Sequence, residues 1–155
     1  MCLDNAKSRF SEVFHGTSFV PNPVNENEIM EFEKRLSISF PAAYKEFLLW
    51  MGNGAGDFIS HFVFHLHSLL NIQEFAEELV QEHSEILPND ALVLFWGSQG
   101  YYFIFVQVDE GDDPPIHIYS EGDGFTWGLH NNLQNFILDC IKWYETHPEI
   151  SSKQK

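Results

Sequence analysis

Between Lys45 and Lys142 the chain contains no lysine and no arginine. Residues 46–141 carry fifteen acidic residues, whereas the two ends together carry eight acids and eight bases. The whole of the formal charge of -15 therefore sits in the middle of the chain. Affinity for nucleic acid needs cations against phosphate, so this composition argues against a DNA or RNA ligand. It argues against an anionic membrane surface for the same reason. A basic partner is the natural complement, through steering and matched potentials. The plainest reading is a solvated, soluble acidic surface.

Cysteine is scarce as well. Cys2 and Cys140 make no disulfide framework, which fits a reducing, cytoplasmic setting. Cys140 falls on an apolar helix face and reads as a small core residue. No run approaches the ~18 apolar residues of a membrane span. The opening MCLDNAKSRFSEVFHG has no continuous apolar segment of the kind a secretory signal needs. There is no G-x-S-x-G elbow and no Walker loop, and EGDG at 121–124 lacks the frame and third glycine of a dinucleotide loop. No internal repeat or low-complexity linker breaks the chain.

What is present suits one globular domain. The 155 residues are 44% apolar, with 15 phenylalanines and 4 tryptophans to build an aromatic core. The spacing predicts a helix over 26–36, opened by Asn25 and Glu28 as a capping box, with Ile29, Phe32 and Leu36 as its stripe. A second helix starts at Pro41 and stops at MGNG, where Gly52, Asn53 or Gly54 can take a left-handed cap. A third covers roughly 72–83, with Asn71 and Glu74 as its start and Glu74, Glu77, Glu78 and Glu82 on an acidic face. A fourth covers 133–145. HFVFHL, ALVLFW, YYFIFVQV, PIHIYS and a short FTWG read as strands. The order predicts an α+β single domain, a largely antiparallel central sheet with helices packed against it.

HFVFHLH, residues 61–67, concentrates three of the eight histidines. Strand alternation places His61, Val63, His65 and His67 on one face and Phe62, Phe64 and Leu66 on the other. His65 and His67 would stand ~7 Å apart along the backbone, and His61 about 13 Å from His65. Two such rings can converge on one zinc ion at ~2.0–2.1 Å. His117, flanked by Ile116 and Ile118 and so expected to face away from the apolar side, is the candidate third ligand. A zinc-dependent enzyme using His65 and His67 is therefore one alternative. Surface or hydrogen-bonded histidines are the simpler reading, so no metal and no cofactor is expected. Neighbouring carboxylates are expected to raise the pKa values of these histidines.

The stretch NENEIMEFEKRLSISFPAAYKEFLLWMGNGAGDF resembles the opening signature of the SUKH superfamily, the Smi/Knr-type domains. The matching elements are Glu33 to Leu36, Pro41, Tyr44-Lys45, Phe47-Leu48 and Asn53-Gly54. The hairpin LVLFWGSQGYYFIFVQVD and the closing NLQNFILDCIKWY are similar to later family elements. The resemblance spans about Val24 to Tyr144 and implies a binding module, not an enzyme. Residues 24–146 are expected to form that domain, after a lead-in segment over 1–23 that can be helical and before a short polar tail over 147–155. Pro41, Tyr44, Phe47, Leu48, Asn53 and Gly54 match family positions for helix packing and the following turn.

The family's bacterial members commonly neutralise a cognate toxin, often a nuclease, from polymorphic or contact-dependent toxin systems. Its fungal members are regulatory interaction scaffolds without a toxin partner. The resemblance thus implies a cytoplasmic immunity protein whose partner is a basic, nuclease-type toxin, with the scaffold role as the alternative. Asp109, Glu110, Asp112, Asp113, Glu121 and Asp123 are read as one acidic loop cluster facing that partner. Trp127, with Phe125, is the aromatic anchor beside it.

Overall fold

The computed structural model describes residues 1–148, so residues 149–155 of the expected polar tail lie outside the described residues. Helix α1 spans Asp4–Phe14, α2 Glu26–Leu36, α3 Ala42–Met51, α4 Leu69–Glu82 and α5 Leu133–Glu145. Strands β1 (Phe62–Val63), β2 (Ala91–Gly97), β3 (Tyr102–Gln107), β4 (Ile116–Ser120) and β5 (Gly124–His130) form one antiparallel sheet in the order β1-β2-β3-β4-β5. The fold is α+β, as the order of elements implies.

Local chemistry sets α2. Asn25 accepts the Glu28 N–H at 2.9 Å, and Glu28 accepts the Asn25 N–H at 3.2 Å, closing the capping box from both sides. Helix α3 differs by a residue from the expected start. Pro41 is its cap rather than its first helical residue and has no side-chain donor or acceptor to offer. The carbonyl of Asp112 accepts the Ala43 N–H at 2.9 Å instead, so the β3–β4 loop caps α3. At its other end Gly54, with φ +94°, takes the left-handed position.

The segment 61–68 departs most from expectation. Only Phe62 and Val63 pair as a strand. The Leu66 N–H donates to the Gly52 carbonyl at 2.9 Å, and residues Leu66–Ser68 form a 3₁₀ turn that runs into α4. Helix α4 therefore begins at Leu69, with Ser68 as a cap that makes no side-chain bond, and the expected Asn71–Glu74 box is not formed. The 3₁₀ turn supplies the Leu66 carbonyl as an acceptor for the Leu69 N–H. Alternation survives in burial: Phe62, Phe64 and Leu66 point inward although the ladder has ended.

Because β1 is so short, part of β2 has no strand on its β1 side. Gln73 on α4 takes that place. Its side-chain amide accepts the Val93 N–H at 2.9 Å and donates to the Val93 carbonyl at 2.8 Å, beside a bulge at Val93/Phe95.

The core is aromatic. Phe47 on α3 meets Phe64 and Phe95, and Phe136 on α5 meets Phe62 and Phe95. The lead-in segment belongs to the same core. Leu3, Ala6, Phe10, Phe14 and Phe19 are buried, and α1 packs along α5. Glu46 of α3, only 6% exposed, accepts the Cys2 N–H at 2.9 Å and the Leu3 N–H at 3.1 Å, with the Lys7 Nζ 3.2 Å away. A carboxylate at the N-terminus of α1 satisfies free donors and the helix dipole together.

Candidate partner-binding surface

The family-like residues are mostly interior. Tyr44, Phe47 and Leu48 are buried, as is Pro41. Asn53 and Gly54 sew the end of α3 to the 22–24 segment: the Asn53 N–H donates to Asn22 and the Asn22 N–H to Gly54. Glu33 and Lys45 form an ion pair at 3.5 Å, and Glu33 also accepts the Phe40 N–H at 2.7 Å. The E-x-x-L and Y-K elements thereby meet in space. This set holds the helical hairpin, and its chemistry is packing and capping.

The six loop acids do not form one cluster. They lie at opposite ends of β4, whose five residues span roughly 13 Å. Glu121 and Asp123 occupy the β4–β5 turn. There the Glu121 N–H donates to Tyr101, and its carboxylate lies 3.5 Å from His83. Asp109, Glu110, Asp112 and Asp113 occupy the other end. Within that group Asp112 and Asp113 lean toward α3. Partial burial, then the charge of Glu46, raise the Asp113 carboxyl above its usual pKa.

Asp109 and Glu110 lie on the side of His117. The sequence places this histidine away from the apolar side, but it is 4% exposed. The pairing of β4 with β5 shifts register between Ile116 and Ile118, and the ring of His117 fills the irregularity. Its Nδ1 accepts the Gly128 N–H at 2.8 Å, which leaves the proton on Nε2 to donate to Glu110 at 2.7 Å. Trp127 packs against the same ring at 5.2 Å and stacks on Phe125 at 5.0 Å, yet it keeps 52% of its surface exposed. Of the predicted set, the structure therefore brings together Glu110 and Trp127, with Asp109 next in chain, through a buried histidine that sequence reasoning had assigned elsewhere.

The histidine pair offers little to a metal. The rings of His65 and His67 lie 5.5 Å apart and nearly perpendicular. His117, the expected third ligand, has both nitrogens engaged by Gly128 and Glu110. Among the described residues no group of three or more His, Cys, Asp and Glu is placed to hold an ion. The pKa expectation also reverses. Burial lowers His61, and burial followed by the charge of His67 lowers His65.

A cavity of about 870 Å³ opens where α5 lies over the Asp57–Phe62 segment and the end of β5. Its lining comes from sequence positions as far apart as Asp57 and Tyr144, so no local motif announces it. His130 at its wall is hydrogen-bonded to Asp139 at 2.7 Å. Burial, then Asp139, push the Cys140 thiol up to about 12, so it stays protonated at neutral pH.

Among the described residues no helix is long and apolar enough to cross a membrane. No curated protein matches the chain. The helical hairpin closed by the Asn53-Gly54 turn and followed by an antiparallel meander has a counterpart among protein families. Residues 23–139 match the SMI1/KNR4 family (SUKH-1), and the chain belongs to it.

Proposed function

We propose that this chain is an immunity protein that binds and neutralises a basic, nuclease-type toxin. Its family supplies domains that are generally non-enzymatic and work by protein–protein interaction. One observation carries the finer reading. The exposed Trp127 stands beside a His117-anchored Glu110 in a segment of 96 residues with no lysine or arginine. A half-exposed tryptophan linked through His117 to a carboxylate, in an acidic segment, suits a cationic protein surface: the ring provides desolvated contact area and the acids provide steering. A toxin that must grip nucleic acid carries such a cationic surface. An inhibitor acting before the toxin reaches its target works in the cytoplasm.

Co-expression with the toxin encoded by the neighbouring gene tests this. The expected result is restored growth and a stoichiometric complex on size exclusion. Continued killing with no complex refutes the reading for that pair. A neighbourhood without a toxin, and capture of envelope-metabolism enzymes in its place, would assign the chain to the family's regulatory scaffolds.

A further inference from the structure

The cavity under α5 has an apolar floor and an acidic mouth. Ile59, Phe62 and Phe136 are buried at its base, while Asp57 and Asp139 are exposed at its rim. Among the described residues no lysine or arginine lines it. Lys142, exposed on α5, lies outside the lining, and Arg9 on α1 is held by Glu12 and Glu145.

We propose that this cavity receives a short basic and apolar segment of the partner protein, with an aliphatic side chain on the floor and an arginine or lysine at the carboxylate mouth. The proposal rests on the partner being a basic protein, as argued above, and adds a second contact to the Trp127 surface.

Three observations select this occupant. The volume of about 870 Å³ falls within the ~300–1,000 Å³ typical of ligand pockets and exceeds what one side chain fills. The rim charge is complementary to a cation, and an anionic segment would meet two carboxylates. His130 engages only Oδ2 of Asp139, which leaves Oδ1 to accept from an incoming guanidinium. Two further lining groups do not oppose a cation. Burial keeps His61 toward its neutral form, and the protonated Cys140 thiol behaves as apolar wall.

The two contacts flank the edge strand β5. Trp127 packs on the Phe105 and His117 face of the sheet and His130 on the Phe136 face, so they are separate surfaces rather than one strip.

The test uses isotope-labelled protein and three capped dipeptides at low salt: acetyl-leucyl-arginine amide, acetyl-leucyl-glutamine amide and acetyl-leucyl-glutamate amide. The arginine probe is expected to shift the Ser60 and His61 amides and the Trp143 indole saturably, more tightly than the glutamine probe, with no binding of the glutamate probe. Asp57→Asn with Asp139→Asn should weaken the arginine probe at least about fivefold, the order expected for losing two partly exposed charge contacts. Both aspartates are exposed; should the double variant fail to fold, Asp57→Asn alone must still weaken the probe. Equal shifts from all three probes, no saturable shift from the arginine probe, or unchanged affinity in the variants overturns the proposal. Because the titration contains no toxin, its failure leaves the immunity reading standing, and failed toxin neutralisation leaves the peptide result standing.

Discussion

The His65 imidazole lies directly over Gly54: a Cβ added to Gly54 would sit 2.7 Å from Nε2 and 3.2 Å from Cε1. The glycine that closes the helical hairpin is thus needed twice, once for its backbone at φ +94° and once for the ring that rests on it. Gly54→Ala should destabilise the fold by about 1–3 kcal/mol, the usual cost of a non-glycine residue in such a conformation, with the clash added. His65→Ala in the same chain should recover the clash but not the backbone strain. Denaturant midpoints of the two single variants and the double variant measure this. Strict additivity would show that the two residues do not interact.

His65 and His61 also set a pH dependence. Burial lowers both pKa values below 6.5 in the folded chain. The unfolded chain then binds protons that the native state refuses. Their contribution is complete above 6.5 and is lost as pH falls through 6.5 toward the folded values. Thermal scans from about pH 7 to pH 5 should show a shallower fall in Tm for His61→Gln with His65→Gln than for the parent chain. The His83–Glu121, His117–Glu110 and His130–Asp139 pairs remain in both proteins and cancel in the comparison. Parallel profiles would remove these two histidines from the account.

How far the sequence reaches depends on where each element's partners lie. Helix α2 is legible because Asn25 and Glu28 satisfy each other three residues apart. Helix α5 is legible because its stripe of Leu133, Phe136, Ile137, Ile141 and Tyr144 is equally local. The extent of β1 is not, because the bond that ends it joins Leu66 to Gly52, across the hairpin turn. His117 is misread because flanking isoleucines imply simple alternation, and the register shift against β5 is a property of two strands. The acidic loops, adjacent on paper, are separated by the strand between them. The cavity has no sequence signature at all, since its floor and rim come together only when α5 docks.

Glu46 offers a direct measure of how firmly α1 is tied to the rest. Glu46→Ala would strip the acceptor from the Cys2 and Leu3 N–H groups and leave Lys7 without its partner. Loss of a buried charged acceptor serving two donors should cost about 3 kcal/mol. Glu46→Gln, which keeps one acceptor oxygen, should cost less. Hydrogen exchange at the start of α1 should speed up in the alanine variant beyond any change in α4. A uniform change across the chain would mean that Glu46 stabilises the whole fold rather than this junction.

The separation of the acids along β4 makes the interface testable by position. Asp109→Lys with Glu110→Lys places reversed charge beside Trp127, whereas Glu121→Lys with Asp123→Lys places the same change at the far end of the strand. Asp112→Lys with Asp113→Lys shares the first pair's end of β4 but sits toward the α3 cap. If the partner docks on the Trp127 side, the first pair should slow association most at low salt and the far pair least, because steering depends on charge near the contact. Trp127→Ala should act differently, raising the dissociation rate and weakening affinity by about 2 kcal/mol, since a central aromatic anchor works through desolvated contact. Equal slowing by all three charge pairs would show that the partner senses only the overall field. Trp127→Ala with an unchanged dissociation rate would move the interface off the Trp127 face.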